Sequence, residues 1–144
     1  MTIAAILKHK GHTVITIDPT AVVPEIAAKL TTHRIGAVLV TDRAGQLLGI
    51  VSERDIVNSI AANGARTLEM TAGQLMTLAV HLTHPEMTVD EAMRKMTIGR
   101  IRHLPVIQDG AVVGMISIGD VVKARIMRQD AEVDSLRAYI GGAA

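Results

Sequence analysis

The chain has no cysteine, no phenylalanine and no tryptophan, and Tyr139 is its single residue of the Phe, Trp and Tyr class. Without cysteine there is no disulfide, no thiolate nucleophile and no cysteine-based zinc site. Without aromatic faces there is no stacking platform for single-stranded nucleic acid. Charge of one sign is also missing: 15 Lys and Arg against 14 Asp and Glu leave a net charge of +1. That is too little for the electrostatic footprint a nucleic-acid partner requires. Apolar runs are short, and none approaches the roughly 18 residues of a membrane span. The first ten residues carry Lys8 and Lys10 behind their apolar stretch and show no cleavage pattern, so no signal peptide is expected. The expectation is a soluble, cytoplasmic protein with neither a nucleic-acid nor a membrane partner.

What the chain does have is aliphatic. Hydrophobic residues make up 49% of its 144 residues and charged ones 20%, enough for a core in one domain or two half-domains. It also repeats itself. Shifted by about 66 positions, Pro19 falls on Pro85, Glu25 on Glu91, Lys29 on Lys95, and Arg34-Ile35 on Arg100-Ile101. One residue drops out at the next turn. Gly49-Ile50-Val51-Ser52-x-x-Asp55 then lies over Gly114-Met115-Ile116-Ser117-x-x-Asp120. A long unit that occurs twice predicts two small subdomains related by a pseudo-twofold, with a cleft and two related sites between them.

Each repeat reads as strand, helix, strand, strand, helix. In the first, 14–17 is a short β-branched strand, Pro19 ends it, and 23–32 has helical spacing. Residues 37–40 form a buried strand, 42–45 a hairpin turn and 47–51 its return, before a helix from Ser52 to about residue 62. The second repeat copies this with strands at 80–83, 104–107 and 112–116, helices at 88–97 and from Ser117, and a turn at Asp109-Gly110. Between them Asn63-Gly64 breaks the chain and 71–76 is a short helix. The opening segment 3–7 resembles that linker helix and reads as the lead-in to the first repeat. The boundaries expected are 1–64 for the first repeat, 65–127 for the second and 128–144 for a C-terminal helical extension. In that last helix Val122, Ile126, Gln129, Val133, Leu136 and Ile140 follow a 4-3-4-3-4 spacing, which predicts a contact with another helix, as in a homodimer.

The chemistry lies in Gly-h-h-Ser-x-x-Asp at the strand-to-helix junctions. Ser-x-x-Asp is close to a capping box, with Ser52 and Ser117 as N-caps. Capping does not account for Asp, rather than the better-suited Glu, at both third positions. The pattern also suits a ligand. An aspartate accepts hydrogen bonds from a ribose diol, a helix start attracts phosphate, and aliphatic strands leave a slot for a purine. Glycine, on this reading, keeps the backbone uncovered beside the cleft.

These features resemble a pair of cystathionine β-synthase (CBS) domains, the Bateman module. The resemblance rests on the element order, Arg100-Ile101-Arg102-His103-Leu104-Pro105-Val106 before the second hairpin, and Gly-h-h-Ser-x-x-Asp after each. It covers roughly residues 1–127, and the closing stretch from Gly119-Asp120-Val121-Val122-Lys123 to Tyr139-Ile140-Gly141 further resembles small stand-alone bacterial members. It implies a mixed α+β fold of two tandem β-α-β-β-α repeats and a long C-terminal helix. It also implies a non-enzymatic homodimer that senses energy or redox state by binding AMP, ATP, NAD or NADH in the interdomain cleft, with no metal. A ligand touching both repeats would bias their orientation.

Carried over by position, the resemblance gives two sets of residues. The first has Asp120 on the ribose, Ser117 nearby, and Met115 with Ile35 around the base. Arg102 and His103 face the phosphate, and Asp18 and Gly36 come from the other repeat. The second has Asp55 on the ribose with Ser52, Ile50 and Ala37, joined by Thr83, His84 and Ile101 from repeat two. Its cation is Arg54, where repeat two has Gly119.

Other readings are weaker. His9/His12 and His81/His84 have a spacing that can ligate zinc, but neither pair has a carboxylate cluster nearby. Ser52, His103 and Asp55 could be imagined as a hydrolase triad, yet no nucleophile elbow or oxyanion arrangement accompanies them. The alternative from another class is a ligand-free module for dimerisation or partner docking.

Overall fold

The computed structural model describes residues 1–78 and 81–143, with the side chain of Ala143 left aside. The chain is mixed α and β and forms two compact units. One runs Thr13–His81; the other joins Met1–His12 to the chain from Leu82 onward.

In the Thr13–His81 unit a four-stranded sheet has the order β1 (Thr16–Ile17), β2 (Ala37–Thr41), β3 (Leu47–Ser52), β4 (Thr77–Leu78). β1 is parallel to β2, and the other neighbours are antiparallel. Helix α2 (Val23–His33) connects β1 to β2 and lays Ile26 and Leu30 onto Val38, Val40 and Val51. It begins with proline in its first turn, where the missing N–H costs no hydrogen bond. It ends at Arg34 in the left-handed conformation (φ 52°), with the Ile35 N–H closing back on the Leu30 carbonyl at 3.0 Å. Helix α3 (Glu53–Asn63) follows β3 directly. A 3₁₀ turn (Gly64–Glu69) then leads into α4 (Ala72–Leu75), whose Ala72 is fully buried in the same core.

The unit of the chain ends repeats this plan with β5 (His103–Gln108) antiparallel to β6 (Ala111–Ser117). Helix α5 (Val89–Gly99) begins in a capping box between Thr88 and Glu91, and α6 (Ile118–Ala143) follows β6. The strand expected at 80–83 is reduced to one parallel bridge, Thr83 to Val106, and Val80 lies outside the described residues. The matched lysines of the repeat have a structural task. Lys29 Nζ donates to the Thr16 carbonyl at 2.7 Å, and Lys95 Nζ to the Leu82 carbonyl at 2.6 Å.

The segment 3–7 does not serve the repeat it precedes. Within α1 (Ile3–Lys10), Ile3, Ile6 and Leu7 are buried among Val89, Met96, Leu104 and Ile116 of the second repeat. The linker does the matching thing for the first repeat. Val23 N–H donates to Met70 O and Ala72 N–H to Ala21 O, just as Val89 N–H donates to Met1 O and Ile3 N–H to Met87 O. The reason is burial: each short apolar segment alone is too small to exclude water and takes the one core edge that lacks a cover. Truncating Leu7 to Ala would cost about 2–5 kcal/mol at such a site.

Helix α6 is the other departure from globular packing. Val121 and Ala124 enter the core, whereas residues 125–142 are all exposed. The apolar stripe on this helix therefore does not cover its own unit.

Candidate functional site

The two strand-to-helix junctions are superposable in their hydrogen bonding. Ser52 ends β3 in an extended conformation (φ −109°), which turns its hydroxyl over the first turn of α3. The Ser52 N–H donates to Asp55 Oδ2 at 2.8 Å, the Ser52 hydroxyl to the same oxygen at 3.0 Å, and the Asp55 N–H to Ser52 Oγ at 3.2 Å. At Ser117 and Asp120 the same three bonds have the same three lengths. A further match lies one residue on: Glu53 N–H donates to the Gly36 carbonyl at 2.9 Å, and Ile118 N–H to the Arg102 carbonyl at 2.8 Å. The capping reading is thus correct at both junctions, and each cap is worth about 1 kcal/mol.

Capping narrows what each junction offers a ligand. Serine oxygen both accepts and donates, and Oδ2 of each aspartate is filled twice over by its own serine. What remains at the helix start is the N–H of Arg54 or Gly119, unpaired among the described residues. What remains on the carboxylate is chiefly Oδ1. An anion at this place meets one backbone donor and a partial helix charge, and a ribose hydroxyl meets an ionised acceptor.

The outer neighbours of the two carboxylates differ. Asp55 Oδ1 receives only a long bond from the Thr77 hydroxyl, 3.4 Å, out of β4. Asp120 Oδ2 receives the Lys10 ammonium at 2.7 Å, and Lys10 also donates to the Met115 carbonyl at 2.8 Å. Burial is the largest single influence on the Asp120 carboxyl and pushes its pKa up. The hydrogen bond from Lys10, with those from Ser117 and the lysine's charge, outweighs it and holds the group below 3.8. Lys10 is a residue that sequence reading passed over. Its separation from Asp120 by 110 positions hides the contact, and the one available signal was a lysine at the end of an apolar lead-in.

The two glycines that the repeat matches also have a different role from the one expected. Neither Gly49 nor Gly114 is uncovered; both are buried. A methyl group on Gly49 would come within 2.7 Å of the Thr77 carbonyl and 2.8 Å of Met76 Sδ, and one on Gly114 within 2.7 Å of Leu7 Cδ2. Each glycine is where a lead-in segment crosses the strand next to the junction.

The remaining expected residues are distributed as follows. In the Thr13–His81 unit, Ala37 pairs with Ser52 across the sheet and is buried, and Ile50 sits between Leu39 and Thr77. Ile35 is half-buried against the core, and Arg54 is exposed on the first turn of α3. Asp18 is exposed and folded onto its own turn: its Oδ1 accepts the Thr20 hydroxyl at 2.6 Å and the Thr20 N–H at 2.8 Å, which keeps its pKa below 3.8. In the other unit, His103 pairs with Ser117 and Met115 with Pro105. Arg102 is exposed and Ile101 is half-buried against the core. Thr83 is buried with its hydroxyl on Met87 Sδ at 2.9 Å, and exposed His84 meets Glu86 at 3.1 Å. Among the described residues, no three His, Asp or Glu side chains gather as metal ligands, and no helix is long and apolar enough to cross a membrane.

The two-fold occurrence of this junction is matched by comparison with known proteins. The CBS domain family model fits twice, over residues 11–62 and 72–127. The chain belongs to the CBS domain family. A solved CBS-domain containing protein of Agrobacterium tumefaciens is similar at 44% identity and a TM-score of 0.84, over 86% of this chain and 92% of that one. A mitochondrial CBS domain-containing protein of Arabidopsis thaliana is 38% identical over 98% of this chain and 72% of its own length. A CBS domain protein of Pyrobaculum aerophilum, solved in complex with AMP, is 27% identical at a TM-score of 0.73, covering 83% of this chain and 89% of that one.

Proposed function

We propose that this CBS domain pair is a non-catalytic sensor that binds an adenosine-containing ligand and reports energy or redox state, acting as a cytoplasmic homodimer. The observation that carries the reading is the pair of Ser–Asp junctions, identical in their inner bonds, each holding out an aspartate oxygen beside aliphatic strands. The AMP complex of the Pyrobaculum relative supports an adenosine ligand. In this reading Asp55 and Asp120 take ribose hydroxyls, Ile50 and Met115 border the base, and Arg54, Arg102 and His103 serve phosphates. AMP, ATP, NAD and NADH share the part that these groups recognise. A signal then requires that the ligand bind two arrangements of the protein with different affinity.

The Thr13–His81 junction is the tighter one. Lys10 lies on the Asp120 carboxylate, so a ribose there must displace or share an ammonium, whereas at Asp55 it meets only a long hydroxyl contact. The same observation favours a second reading for the Ser117 junction alone, a strut that closes the lead-in helix onto its repeat and holds no ligand.

Calorimetric titration of nucleotide-stripped protein with AMP, ATP, NAD, NADH and S-adenosylmethionine tests both. Saturable binding lost in Asp55→Ala establishes the sensor. A further loss in Asp120→Ala gives the second junction a ligand, and none assigns it to the strut. No binding by any of the five leaves a docking module.

A further inference from the structure

The exposed half of α6 carries a pattern that its own unit does not use. Ile126, Val133 and Ile140 recur every seven residues, with Val122, Gln129 and Leu136 four positions before each. All of the apolar members are exposed, Leu136 at 59% and Ile140 at 61%. The core-facing Val121 and Ala124 lie on the other side of the helix. A helix segment of this length with no covered face is marginal by itself in water.

We infer that α6 pairs with α6 of a second copy of this chain as a parallel, in-register, two-stranded coiled coil. Three features choose this occupant and this direction. First, β-branched residues fill every position of the 126/133/140 row, the preference of that row in parallel two-stranded coils, and Leu136 stands in the other beside Val122 and Gln129. Second, the Gln129 side-chain amide has no hydrogen-bond partner among the described residues. Parallel pairing sets it beside its own counterpart, amide to amide, whereas antiparallel pairing buries it against Val133. Third, the flanking charges match. Parallel pairing brings Arg125 to Asp130 and Glu132 to Arg137 of the other copy, each pair twice.

Asp130 and Arg137 have no ion-pair partner within the chain among the described residues. Arg125 is already held by Asp90 at 2.7 Å, so the Glu132–Arg137 contact is the stronger determinant of the two. Glu132 has only an exposed 3.3 Å contact with Arg128 to give up.

The inference rests on the homodimer part of the proposed function but not on its ligand, and it is tested on nucleotide-free full chain by analytical ultracentrifugation. The full chain is expected to sediment as a dimer. Val133→Asp is expected to raise the dimer dissociation constant at least about tenfold, with the fold checked by near-unchanged thermal melting of the globular units. Glu132→Arg weakens the dimer about threefold, and adding Arg137→Glu restores it, because the swapped charges meet again. Because the chain has no cysteine, Leu136→Cys gives a clean cross-linking probe, expected to oxidise to a disulfide-linked dimer while Ser135→Cys does not. A monomer would overturn both the pairing and the homodimer. A dimer indifferent to Val133→Asp would overturn the helix pairing alone. A double swap weaker than the single one, or no cross-link at 136, would overturn the parallel direction, since antiparallel pairing with Gln129 against Val133 sets residue 132 beside its own counterpart and away from residue 137.

Discussion

The junction at Ser52 and the junction at Ser117 share every inner bond and differ in one outer neighbour, Thr77 against Lys10. The shared part is what a strand needs in order to turn into a helix: a hydroxyl for the N3 N–H and a carboxylate for the N-cap N–H. The part that differs comes from outside the repeat, from β4 in one unit and from α1 in the other. The fold therefore duplicates the carboxylate, and the lead-in segments make the two copies unequal. A ligand that recognises ribose distinguishes them because one carboxylate is open and the other is neutralised.

The comparison breaks most visibly in binding. Asp55→Ala removes an ionised acceptor whose hydrogen bonds are worth about 1.5–3 kcal/mol each, so adenosine affinity is expected to fall about a hundredfold. Asp120→Ala falls by less, because its Oδ2 is already held by Lys10. Ser52→Ala, which loosens the cap and keeps the carboxylate, separates loss of ligand from loss of helix start.

Next in size are the glycines. Gly49→Ala pushes a methyl onto backbone and is expected to destabilise by about 1–3 kcal/mol. Gly114→Ala meets a leucine end and costs less, which urea melts of the two variants would read side by side. The caps come third. Ser52→Ala and Ser117→Ala should each cost about 1 kcal/mol and agree within a few tenths, since their bonds are the same length. Unequal values would show that the junctions differ in more than their outer neighbour.

The smallest effect sharpens the comparison through pH. The folded-state pKa of Asp120 is depressed, so its contribution to stability is fully present above 3.8 and is lost as pH falls below that value through the folded pKa. Lys10→Ala should lower the melting midpoint at pH 7 by the equivalent of less than about 1 kcal/mol, as befits a partly exposed pair. It should leave the midpoint unchanged well below pH 3.8. The same variant should tighten adenosine at the Ser117 junction, up to about fivefold, while leaving Asp55 alone.

Much of this architecture was legible in the sequence because it is local or periodic. The repeat, the hairpins at Asp42 and Asp109, and the junction serines and aspartates all lie within a few residues of what they bind. The lead-ins were not legible. Ile3 and Leu7 announce that they need burial, but apolar character does not specify which of two related cores receives them. Lys10 at Asp120 and Leu7 at Gly114 follow from that placement and were hidden with it. The glycines were misread for the same reason: close approach by another segment and exposure to a ligand both call for a missing side chain. Of the second repeat's expected first strand, the described residues pair through one parallel bridge, Thr83 to Val106, and Val80 lies outside them.

The account stands most directly on titration of nucleotide-stripped protein with AMP, beside Asp55→Ala and Asp120→Ala. It predicts saturable heat in the parent chain, near-complete loss of the tighter component in Asp55→Ala, and a smaller change in Asp120→Ala. Equal losses in the two variants, or tighter binding that survives in Asp55→Ala, would contradict it.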